Sequence, residues 1–201
     1  MMTAIAQNRS SARTLTVTAV MVALTLILAL TPIGMIRLPV VSITIAHIPA
    51  IIAALVLGLS EGFAVALTFG LCSLFLAISA PASILDPFFV NPLISVLPRA
   101  LIPVTAYFTY KGLHAAFKNL PHGENAAIIT AAIVGNLTNT FGVYFMLYIL
   151  YARQIFEKTG KPALNLIIAA VSTTTLYKTI GVVLIIFPIV KALHRFQRTR
   201  R

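Results

Sequence analysis

The chain has 201 residues, 59% of them hydrophobic and only 9% charged, and its mean hydropathy is +0.99. A soluble domain of this length carries about a quarter charged residues, so the composition suits lipid and excludes a water-soluble globule. The formal net charge of +11 would fit nucleic acid, but the charges lie mostly outside the apolar runs and no polar domain accompanies them, which argues against that partner.

Stretches long enough to cross about 30 Å of hydrocarbon recur along the chain, the pattern of an all-α, multi-pass membrane protein. The first span, about 14–31, follows Arg9 and Arg13 and is stopped by Pro32. It is full length with no clear small-residue cleavage site behind it, so it reads as a retained helix. A long apolar connection, "PIGMIRLPVVSITIAH", leads to a short second span, about 48–59. Its two prolines and closing alternation predict a short extended segment over the bundle. The third span covers about 62–80, and "PASILDPFFVNP" leads from it to the fourth, about 92–110. The fifth runs about 126–151 and the sixth about 164–193, with polar linkers expected at 111–124 and 152–162. The two long connections are too apolar for idle solvated loops. They read either as a lid over an outward-facing cavity or as segments lying in the membrane interface. The whole chain, 1–201, is thus expected to form one six-helix transmembrane domain with a basic tail at about 191–201, and no internal repeat stands out.

Orientation follows from the basic residues. With the N-terminus inside, the cytoplasmic segments hold nine lysines and arginines (Arg9, Arg13, Lys111, Lys118, Lys191, Arg195, Arg198, Arg200 and Arg201). The external ones hold four (Arg37, Arg153, Lys158 and Lys161). This bias puts both termini in the cytoplasm of a cell-membrane protein. The tail "KALHRFQRTRR" also suits an anionic inner leaflet.

Four acidic residues, Glu61, Asp86, Glu124 and Glu157, all fall at span ends or in connections, whereas two cations, Arg99 and Lys178, fall inside spans. A basic residue at mid-helix costs about 2.5–3.5 kcal/mol on insertion scales and normally faces the interior toward a partner. For Arg99, in "NPLISVLPRALIP", the partner is either Asp86 folded back from its loop or an anionic ligand. Seven residues into its span, Arg99 lies about 10 Å deep, and a guanidinium grips a carboxylate or phosphate through two parallel hydrogen bonds. Lys178 either stays neutral, bonds to backbone carbonyls, or has an anionic ligand as partner. Asn136 and Asn139 share one face of the fifth span, Asn91 opens the fourth and His47 the second. These are candidate contacts for a hydroxyl- or amide-bearing solute, interhelical hydrogen bonds being the alternative. The hydroxyls of Thr138, Thr140 and "STTT" (Ser172 to Thr175) are expected to make such interhelical bonds. Tyr144, Tyr148 and Tyr151 read as interface-belt residues.

Several chemistries are missing. There is no G-x-x-x-x-G-K-[ST], no H-E-x-x-H and no G-x-S-x-G, and the single Cys72 excludes a disulfide framework or thiolate metal site. No mid-span carboxylate is present to carry protons. The sequence therefore calls for no enzyme, no metal and no cofactor. It leaves a solute binder that takes its energy from elsewhere, or a structural membrane subunit. Small residues one turn apart, Ala19 with Ala23 and Gly62 with Ala66 and Gly70, permit close helix approach, either inside the bundle or to another subunit.

Taken in order, "TVTAVMVAL", "ITIAHIPAIIAALVLGLSEGFAVALTFGLCSL" and "NPLISVLPRALI" resemble the substrate-binding S-components of energy-coupling factor (ECF) vitamin transporters, over nearly the whole chain. Within them the chain looks most like the pantothenate type. The resemblance implies a complex with a transmembrane coupling subunit and two cytosolic ATPases, in which the S-component topples to release its vitamin inward. It also implies that Ala19 and Ala23, matching the family's A-x-x-x-A pair, dock on the coupling subunit. The vitamin would lie among the external loops and helices four to six, the region of Arg99, Asn136 and Lys178. Arg99 would then hold the carboxylate of pantothenate and the asparagines its hydroxyls and amide. Riboflavin, with Phe88, Phe89 and Tyr144 as stacking partners, is the main rival, and a non-transport scaffold is the other class.

Overall fold

The computed structural model describes residues 2–36, 43–81 and 83–199. Helix α1 (Met2–Leu30) ends before Pro32, whose ring cannot continue it. The chain then forms a minimal antiparallel ladder, β1 (Met35–Ile36) with β2 (Ile43–Thr44), in the register Met35↔Thr44 and Ile36↔Ile43. This agrees with the extended segment expected before His47, although Arg37, Pro39, Val41 and Ser42 lie outside the described residues.

Helix α2 (Ile48–Val56) has nine residues, about 14 Å, less than half the thickness of a hydrocarbon core. Its residues from Ile48 to Leu55 are all buried, the fate of a helix that is apolar all round. It turns at Leu57–Gly58 into α3 (Leu59–Ser79). There Gly58 takes φ 131°, a conformation that side chains rarely adopt. A side chain at Gly62 would sit 2.6 Å from the Ala54 side chain and 2.8 Å from its Cα, so α2 and α3 touch backbone to backbone. The small-residue stripe Gly62–Ala66–Gly70 is therefore internal packing, with all three buried.

The 81–92 connection forms a 3₁₀ turn (Asp86–Val90) that tucks Phe88 and Phe89 inward. The expected fourth span is broken at Val96 into α4 (Pro92–Ser95) and α5 (Leu97–Ala116). Helices α6 (Gly123–Thr159) and α7 (Ala163–Thr199) have 37 residues each. Residues 111–116 and 152–159, expected as linkers, are thus helical: polarity ends the lipid-facing stretch but not the helix. The actual stop of α6 is Gly160, left-handed at φ 67°.

Five helices are long and apolar enough to cross a membrane among the described residues: Ala12–Leu30, Leu59–Ser79, Pro92–Ala116, Gly123–Thr159 and Thr174–Phe196. The short α2 is not one of them. Two main cores hold the bundle, beside a small α2–α3 cluster of Ala50, Ala53, Val65 and Ala66. The larger joins all the long helices to α2 around Ile51, Phe69, Ile102, Ile128 and Ile186. The smaller lies under the 3₁₀ turn, where Leu85, Phe88 and Phe89 meet Tyr144, Leu147 and Ile155 of α6.

Opposite ends of the bundle are defined by contacts. His194, late in α7, hydrogen-bonds the Leu55 carbonyl at the end of α2 at 3.1 Å and Glu124 at the start of α6 at 3.0 Å. That end therefore gathers the start of α6 and the ends of α2 and α7.

Candidate functional site

The break between α4 and α5 has a covalent cause. Pro98 has no N–H, so the Ile94 carbonyl loses its i→i−4 donor. Arg99 fills that place: its Nη1 donates to Ile94 O. Its Nη2 donates to Ser73 Oγ of α3 at 3.3 Å, and the guanidinium lies over the rings of Phe69 (5.4 Å) and Phe89 (5.0 Å). Arg99 is 5% exposed and its Nε has no hydrogen-bond partner. Two of its five N–H groups are engaged within the protein, leaving three.

Asp86 is not that guanidinium's counter-ion. Its carboxylate accepts from Ser83 N–H at 2.8 Å and from the Ser83 hydroxyl. Among the described residues the ion pairs are Arg153–Glu157 and His194–Glu124, and neither includes Arg99 or Lys178. Fold-back of the loop places Phe89, not Asp86, on the arginine.

A second group links α2, α6 and α7. The Thr179 hydroxyl donates to its own helix at Thr175 O (2.7 Å), so its oxygen accepts from Asn136 Nδ2 (2.7 Å). This turns Asn136 Oδ1 toward His47 Nε2 at 3.1 Å, which must then carry the proton. His47 and Asn136 are both fully buried. Lys178, part-buried, donates to Thr140 Oγ1 at 3.5 Å, and Thr140 donates to Asn136 O. Asn139, one turn along α6, is 4% exposed and its Oδ1 has no partner.

The two groups adjoin. The Phe69 ring that backs Arg99 is 6.5 Å from the His47 ring. Lys178 joins them through Thr140, which bonds both it and Asn136. Four of the residues singled out in the sequence, His47, Arg99, Asn136 and Lys178, are thereby brought together, with Asn139 on the same helix as Asn136. Asn91 is engaged differently: it caps α4 by accepting from Leu93 N–H (3.0 Å) and donates to Tyr151 OH (3.2 Å). Tyr144 and Tyr151 are not a lipid belt, since Tyr144 is buried and Tyr151 packs on Phe88 at 4.9 Å; Tyr148 alone faces outward. The hydroxyls behave as expected in one clear case, Thr105 with Thr138 between α5 and α6 at 2.8 Å. Most others bond their own preceding turn.

Sequence reading missed Ser73, Phe69 and Thr179. Thr179 follows Lys178 directly and could have been noticed; Ser73 and Phe69 come from a helix about thirty residues earlier and only packing reveals them.

On the outer surface, Ala19 and Ala23 are both exposed, flanked by exposed Val20, Leu24 and Ile27. Only 11% of the apolar window of α1 is buried.

A family model described as "ECF transporter, substrate-specific component" matches residues 13–190. The chain belongs to the ECF S-components. It is thus a multi-pass membrane protein and a subunit of a transporter, from a family that is not one of enzymes. ECF S-components bind small-molecule substrates and dock with a coupling module. No individual curated protein matches the chain. For an S-component, cations within the bundle and unengaged polar atoms beside them mark the candidate solute site.

Proposed function

We propose that this S-component binds pantothenate through Arg99, Lys178, His47, Asn136 and Asn139, takes it from the external face, and releases it inward when docked on a coupling subunit with two cytosolic ATPases. The observation that carries the reading is two cations inside the bundle, Arg99 and Lys178, with no ion pair to either among the described residues. A like-charged pair in a medium of low dielectric wants an anion, and the carboxylate of pantothenate supplies one. The unengaged Arg99 Nε and Asn139 Oδ1 offer a donor and an acceptor for the same molecule. Asn91 then supports the site through the α4 cap rather than by contact.

In this reading α2 and the β1–β2 ladder together complete a sixth crossing, which puts both termini in the cytoplasm. The Asp86–Val90 turn closes the external side, and Ala19 and Ala23 form the docking face. Riboflavin is the competing solute.

Calorimetry on the detergent-purified chain decides between solutes. Pantothenate binding in the wild type, weakened by about 2–5 kcal/mol in Arg99→Ala, is the expected result. Riboflavin binding instead replaces the substrate, and binding of neither removes the vitamin reading.

A further inference from the structure

A second recess lies at the end of the bundle that holds His194 and Glu124, remote from Arg99. Helix α2 stops at Val56 and turns, while its neighbour α5 runs on to Ala116. The mismatch leaves a groove of about 570 Å³ between the Ala54–Gly58 corner and the stretch from Tyr107 on α5 to Lys118 just past its end. An adjoining cavity of about 370 Å³ shares His114 and Lys118 with it.

The groove has an apolar wall and a basic one. The apolar wall is the α2 corner, where Val56 and Leu57 are half-buried. The facing wall carries Tyr107, with Lys111 Nζ 5.8 Å over its ring, and then the stacked pair Tyr110 and His114 at 5.4 Å. Lys111, Ala115 and Lys118 are exposed, and His114, half-buried with its Nδ1 turned inward, lines both recesses. None of the lining residues is acidic. Nearby Glu61, at the Gly58 corner, accepts from Ser60 Oγ, and Glu124 in the adjoining cavity is bonded to His194.

We propose that this groove binds the headgroup phosphate of an anionic phospholipid. The phosphate lies between Lys111, Lys118 and His114, and an acyl chain runs along Val56 and Leu57. Apolar surface beside a cluster of two lysines, an imidazole and two tyrosines, with the neighbouring carboxylates Glu61 and Glu124 bonded to Ser60 and His194, matches a lipid's own sequence of tail, then phosphate. A soluble phosphate would make no use of the apolar approach, and basic recesses between transmembrane helices suit anionic headgroups. The site is independent of the solute pocket.

Native mass spectrometry of the full chain, released from detergent containing equal phosphatidylglycerol and phosphatidylcholine of identical acyl chains, tests this. The wild type should retain phosphatidylglycerol over phosphatidylcholine by about tenfold. Lys111→Gln with Lys118→Gln should bring that ratio near parity, and Ala115→Phe, which fills the groove without altering charge, should do the same. Lys111→Arg with Lys118→Arg should preserve it, as should Arg153→Gln with Lys161→Gln at the opposite end. A wild-type ratio of one overturns the proposal. So does a ratio unmoved by both groove variants, or one lost equally in the Arg153 and Lys161 variant. Displacement of the lipid by millimolar inorganic phosphate would show a soluble-anion site instead.

Discussion

Arg99 stands where a backbone amide would otherwise be. Because Pro98 cannot donate to Ile94 O, the guanidinium does so, and this contact, with Ser73 and the faces of Phe69 and Phe89, holds its remaining N–H groups in place. Lysine cannot reproduce that: it offers a point charge with no planar fork. Arg99→Lys should therefore lose most of the solute affinity while keeping the charge, as read by calorimetry. Asn136 carries a different role, since it joins His47 to Thr179. Asn136→Leu leaves a buried imidazole N–H without acceptor, so the melting temperature in detergent should fall, with about 1–3 kcal/mol lost. The sequence already posed the question of Arg99's partner, because a cation in an apolar run is visible without a structure. The answer in part was not visible, because Ser73 and Phe69 reach Arg99 through packing between helices far apart in the chain.

Among the elements, the long apolar helices were legible and their ends were not. Hydropathy reports where lipid stops, and α5 and α6 each continue beyond that point in polar sequence; the caps, not the polarity, end them. The second span reads from its sequence as short, about 48–59, and α2 is shorter still, a nine-residue buried piece whose corner is set by Gly58. Close approach at Gly62 makes a sharp prediction. Gly62→Leu must push α3 off the Ala54 backbone and should cost about 1–3 kcal/mol. Gly112→Ala, where nothing lies within 4 Å, should instead stabilise α5 by about 0.5–1 kcal/mol. Thermal melts of the two variants side by side check both signs. At the α4–α5 break, Pro98→Ala restores an amide donor to Ile94 O and competes with Arg99 for it. Solute affinity should fall with helical content by circular dichroism unchanged or slightly raised.

At the scale of the molecule, two small-residue stripes that look alike in sequence have opposite fates. Gly62–Ala66–Gly70 is buried against α2 and the α4–α5 junction, whereas Ala19 and Ala23 remain on the outer face of a helix fastened along one side only. Ala19→Trp or Ala23→Trp should therefore leave solute binding intact and abolish copurification with the coupling module. Loss of both would mean that α1 packs inward.

The pair Arg99 and Lys178 also has an electrical consequence. With no ion pair to either among the described residues, Arg99 brings an uncompensated positive charge into the bundle, and Lys178, when protonated, brings a second. Each charge carried through the full field of a membrane potential is worth about 2.3 kcal/mol per 100 mV. The anionic solute proposed above would cancel one such charge, so the loaded protein would feel an inside-negative voltage less than the empty one. The membrane potential would then sense whether the site is occupied.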